Sequence, residues 1–128
     1  MAYPTLLTAS EALKHLETIV AEFGEDYVYQ GHGTRDPLGV LVCHYVHNGK
    51  PDCLVGHVAH RHGVPLDILA KHEGASAYAF ANIAFTQKAC AVLVAAQAEQ
   101  DRQKPWHLAL TKAREAYHRL QLKGEDLR

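Results

Sequence analysis

The sequence predicts an α+β domain: an N-terminal helix, a two-stranded antiparallel β element, then four helices ending in a long antiparallel helical hairpin. Three observations carry this expectation. Apolar residues recur at helical spacing near the N-terminus and again through much of the C-terminal half. Between them lie two short stretches rich in aromatic and β-branched residues. The chain has 128 residues, a common size for one domain and too few for two ordinary ones. Residues 1–128 are therefore expected to form a single domain, with 1–8 and 123–128 as loose termini.

The elements follow in order. Thr8 and Glu11 stand at capping-box spacing, and Leu13, Leu16, Ile19, Val20 and Phe23 form a helical stripe. Gly24 supplies the C-cap of this first helix, 9–23. Asp26 to Gln30 reads as one strand and Val40 to Val46 as the other, paired antiparallel across the loop 31–39. His47-Asn48-Gly49-Lys50 is a turn, because Asn-Gly accepts the positive φ angles of a type I′ turn. It is expected to lead the chain out of the sheet. Asp52 caps a helix from Cys53 to His62, and Gly63 closes it. A short helix runs from Leu66 to His72, with Gly74 beyond it. The alanine-rich stretch 74–84 fits irregular structure or part of a helix. Thr86 opens a long helix to Gln103, with Cys90, Leu93, Val94 and Ala98 on its buried side. Pro105 suits the first turn of the last helix, whose stripe is Trp106, Ala109, Leu110, Ala113, Ala116, Tyr117 and Leu120.

Composition narrows the function classes. Apolar residues make up 48% and charged residues 21% of the chain, so a core can form without a covalent or metal staple. The formal net charge is −1, whereas proteins that grip nucleic-acid phosphates usually carry a basic excess. No apolar run reaches the roughly 18 residues of a membrane span. Met1 to Thr8 has no basic n-region and no small-residue cleavage site after an apolar core, as a signal peptide would, so the expected compartment is the cytoplasm. Three cysteines are an odd count, which argues against a disulfide framework. Ten histidines are the unusual term, since imidazole titrates near neutral pH and binds metals. Surface histidines are also often passengers.

The stretch from Cys43 to His62 concentrates the reactive residue types. With Cys53 at 0°, Leu54, Val58, His62, Val55 and Ala59 fall between about 100° and 240° and should face the core. Cys53, His57 and His60 fall near 0°, about 40° and about 340°, on the opposite stripe. Gly56 lies beside them, so another backbone could approach there. Thiolate and imidazole are the donors zinc prefers, and Cys43, His47, Cys53 and His57 form a candidate Cys2His2 set. Its spacing matches no standard zinc signature. The competing reading makes Cys43 a small buried hydrophobe and Cys53 a helix-start residue packed under the turn, and leaves the histidines in water. Cys53 at a helix N-terminus also has a nucleophile's position, but neighbouring Asp52 opposes a thiolate and no orienting acid is evident. No phosphate-binding glycine motif occurs. No catalytic or cofactor-binding residue is assigned.

Two further stretches read as ordinary surface. The polar run Gln97, Gln100, Asp101, Arg102, Gln103 and Lys104 is expected to be a solvated helix end. Lys112, Arg114, His118, Arg119 and Lys123 make a modest basic face on the last helix. His32, Arg35, His60, Arg114 and Arg119 are the candidate residues of an interaction surface.

The segment from Cys43 through Gly56, followed by Gly63-Val64-Pro65-Leu66, the stretch Gln97–Asp101 and Pro105-Trp106, resembles a group of small uncharacterised proteins from actinobacteria and their phages. The resemblance spans about residues 10–120. It implies no activity and transfers no residue role. The expected function is a non-enzymatic interaction or regulatory protein, phage-encoded or actinobacterial, that binds a host protein or itself. The alanine-rich helix 86–103 could seat a homodimer. The alternatives are a small zinc-binding domain around 43–57 and a nucleic-acid-associated regulator.

Overall fold

The computed structural model of the chain describes residues 5–31, 35–39 and 44–122. It is α+β, with helix α1 (Ala9–Phe23), strands β1 (Val46–His47) and β2 (Lys50–Pro51), and helices α2 (Leu54–His62), α3 (Leu66–Ala70), α4 (Gln87–Asp101) and α5 (Trp106–Leu122). No helix among the described residues is long and apolar enough to cross a membrane.

The N-terminal helix follows its sequence signals closely. Glu11 N–H donates to Thr8 Oγ1 (3.1 Å), and Thr8 N–H donates to Glu11 Oε1 (3.0 Å). Two otherwise orphaned donors are thereby satisfied. Ala9, Ala12, Leu16, Ile19 and Val20 are buried. The chain just before α1 is tied to the fold. Leu7 is fully buried, donates its N–H to the Ala84 carbonyl (2.8 Å) and accepts from Thr86 N–H (3.0 Å).

The β element lies elsewhere than expected. The segment 26–30 forms no strand, and 40–43 lies outside the described residues. The antiparallel pair is β1 with β2, in register Val46 to Pro51 and His47 to Lys50. Asn48 (φ 53°) and Gly49 (φ 74°) make the turn between them. The Asn-Gly turn therefore closes the hairpin that the longer loop was expected to close. A two-residue connection with both φ angles positive matches strand twist, which makes it the better hairpin closure.

The α2 boundaries agree with the sequence reading to one residue, but its cap does not. Cys53, not Asp52, is the N-cap, with no cap bond from its side chain. Cys53 is fully buried, although helical angles place it on the outer stripe. Its backbone is extended (φ −80°, ψ 173°), so the helical angle does not apply to it. Gly63 closes α2 in the left-handed region.

The stretch 74–84 resolves into turns around a 3-10 segment, Ala77–Phe80. Beyond it, α4 is the centre of the fold, packed against α5, α1, α2 and the 3-10 segment. Ala89, Cys90, Val92, Leu93, Ala96, Gln97 and Gln100 are buried, whereas Ala98 is exposed. Of the alanines of α4, Ala89 and Ala96 are covered within the chain. Small side chains let neighbouring helices approach a central one closely. α4 and α5 form the C-terminal helical pair, turned by Gln103 in the left-handed region.

Candidate functional site

Two side-chain clusters adjoin the first turns of α2. One is the hairpin junction. Tyr45 and Val46 N–H groups both donate to Glu73 Oε1 (2.7 and 3.1 Å). His44 Nδ1 stands 3.3 Å from Glu73 Oε2. Tyr29 O–H donates to Asp52 Oδ2 (2.5 Å) and accepts from His44 N–H (3.1 Å). Burial, then the bond to Asp52, pushes the Tyr29 phenol well above its ordinary pKa. Asp52 and Cys53 N–H groups donate to the Tyr45 and His44 carbonyls (both 3.0 Å). Gly56 permits this docking, since a Cβ there would strike the Tyr45 carbonyl oxygen.

The junction is completed from α4. Gln100, fully buried, accepts from Leu54 N–H (2.8 Å) and so caps α2 from another helix. Gln97 is also buried, and burial pushes the Asp101 carboxyl up to about 6. The run expected to be solvated is therefore partly interior. A buried α2 N-terminus needs an acceptor, and Gln100, in the last turn of α4, supplies it from the α2-facing side of that helix.

The second cluster is an aromatic face. Gly24 (φ 99°) ends α1 and turns the chain. The carbonyls of Tyr27 and Glu25 then accept from Trp106 and His107 N–H groups (2.8 and 3.0 Å). These are orphan donors of the first turn of α5, so the turn is pinned where that helix begins. The pinning brings Phe23 and Tyr27 onto Trp106, at ring centroid distances of 5.1 and 4.5 Å. His57 lies edge-on to Phe23 at 4.9 Å. Trp106 is fully buried, but Phe23 is 42% and Tyr27 38% exposed. Phe23, the last apolar residue of the α1 stripe, stands at the surface: His57 of α2 and Trp106 of α5 cover only part of its ring. Burial, then Arg61, lowers the His57 pKa, which favours the neutral ring.

The expected site residues are scattered. Cys43 and His32 lie outside the described residues. His47 is half-buried in β1, its ring 6.4 Å from His44. Cys53 is in the core, and His57 belongs to the aromatic face. Among the described residues, no group of three or more His, Cys, Asp or Glu is placed to hold a metal ion. Arg35 is exposed and donates to the Gly39 carbonyl (3.0 Å) and Gln103 Oε1 (2.7 Å). His60 and Arg119 are exposed, while Arg114 pairs with Glu17 (3.0 Å). The aromatic face escaped the sequence reading because Phe23, Tyr27 and Trp106 each fitted a structural stripe or strand. The signal that could have found it is Glu22-Phe23-Gly24-Glu25-Asp26-Tyr27, two rings set among three acids at a helix end.

No family model, curated protein or solved structure matches this chain.

Proposed function

We propose that the chain is a non-enzymatic binding module that docks a protein partner through Phe23 and Tyr27 over Trp106. The observation that supports this is the exposure of two adjoining rings, 5.4 Å apart, on a buried tryptophan. Single exposed apolar side chains are ordinary, but aromatic side chains grouped on a rigid base are what interface hot spots are built from. Leu38, Tyr78, Ile83 and Leu108 are exposed too, but among the described residues the pair of adjoining exposed rings is Phe23 with Tyr27. The backbone bonds from Trp106 and His107 fix the face before any partner arrives, which lowers the ordering cost of binding.

Charge favours a protein partner over nucleic acid. On α5, Arg114 pairs with Glu17 and Lys112 lies 3.4 Å from Glu115, so part of the basic face is neutralised. A photoreactive benzophenone side chain at position 27 tests the reading, with position 78 as reference. Illumination in an extract of the producing cells is expected to give one discrete adduct from position 27, none from 78, and none after Phe23→Ser. Equal labelling from both positions, or none from 27, contradicts it.

A further inference from the structure

The aromatic face has an acidic rim. Glu22, Glu25 and Asp26 are all exposed and alternate with the rings along 22–27. Glu22 is held by Arg61 of α2. Glu25 and Asp26 make no ion pair among the described residues. Asp52 adds to the negative field from inside. After burial, its carboxylate is the cause that raises the Tyr27 pKa, and it acts on His57 as well. The opposing charge at His57 is Arg61, which acts there more strongly than Asp52 and is held by Glu22.

Aromatic ring faces carry negative quadrupole potential, so exposed rings and carboxylates attract the same kind of group. A guanidinium satisfies both at once, because it stacks flat on a ring and forks onto a carboxylate. An ammonium does the first less well and the second only as a point charge. We infer that the aromatic face receives an arginine side chain of the partner protein, over Phe23 and Tyr27 and between Glu25 and Asp26. This rests on the docking role proposed above and names the chemistry of the partner.

The chain has one tryptophan, Trp106, and it touches both exposed rings, so its emission reports on the face. Three short capped peptides serve as probes: alternating Arg-Gly, alternating Glu-Gly, and a neutral alternation of Leu and Gln. Binding is read by Trp106 emission and by calorimetry at low and physiological salt. The Arg-Gly peptide is expected to give a saturable change and to bind at least about five-fold tighter than either other peptide. Glu25→Gln with Asp26→Asn is expected to weaken it by about three-fold or more while melting stays unchanged. Equal binding of the Arg and Glu peptides, or no effect of the double substitution, overturns the inference. If only the neutral peptide binds, the docking role survives and the arginine does not. If no peptide perturbs Trp106, both fall. Self-association that the double substitution abolishes, seen by sedimentation, assigns the face to a second copy and also overturns the inference.

Discussion

At the hairpin junction, Glu73, Tyr29, Asp52 and Gln100 each meet a backbone or side-chain partner, whereas at the aromatic face Phe23, Tyr27, Glu25 and Asp26 lie open to solvent. The two clusters meet around Asp52 and the first turns of α2. Reactive residue types gather at the junction, yet their polar atoms join the hairpin to α2, α4 and the turn after α3. The open face uses residue types that look structural in sequence. Chemical variety in a segment is thus a poor guide when buried backbone has to be satisfied there.

This contrast predicts a graded set of effects. The largest is Gly56→Ala, which puts a methyl into the Tyr45 carbonyl, with that group's carbon only 3.0 Å from the new Cβ. Because the obstacle is backbone, relief requires separating the hairpin from α2. A loss of about 3 kcal/mol is expected in urea unfolding. A loss near zero would mean that the junction yields easily, and the contrast would fail on that side. Tyr29→Phe comes next. It leaves Asp52 and His44 N–H without the phenol, for a loss of about 1–2 kcal/mol with little effect on binding at the aromatic face.

Asp101 sharpens the comparison, because it is a junction carboxyl that burial disfavours in its charged form. Its pKa in the fold, about 6, lies above the ordinary 3.8. A raised acid pKa means that the stabilising contribution is present below pH 3.8 and is lost as pH rises through 6. Asp101→Asn keeps an acceptor for Gln100 Nε2 and removes this loss. It is expected to stabilise the protein by about 1–2 kcal/mol at pH 8, after allowance for partial solvent screening, and to be nearly neutral below pH 4. Thermal melts at the two pH values check the sign. The smallest effect on stability is expected from Glu25→Gln with Asp26→Asn, within about 0.5 kcal/mol, since both side chains are exposed.

Local signals were legible in the sequence wherever one residue type solves one backbone problem. Thr8 and Glu11 marked the start of α1, Gly24 and Gly63 the ends of helices, and Gly56 a close backbone approach. Asn48-Gly49 was recognised as a turn, but its strands were not, because two residues on each side carry no periodicity. The segment 26–30 has strand-like composition, yet its Tyr27 carbonyl, with that of Glu25 just before it, serves the first turn of α5, a use that only tertiary structure reveals. Gln100 reads as solvated from its neighbours and is buried because α2 needs an acceptor. Cys53 was misplaced by helical angles that begin one residue later. The aromatic face was invisible for a related reason: amphipathic stripes assume full covering, and at the end of α1 His57 and Trp106 cover only part of Phe23.

The most direct test of the central claim is an amide chemical-shift titration with the Arg-Gly peptide. Shifts are expected at the amides of 22–27, at His57 and at the indole N–H of Trp106, while the amides of 44–46 and 52–54 stay still. Shifts centred on the junction or on α5, with 22–27 and the indole unmoved, would contradict the assignment of docking to the aromatic face.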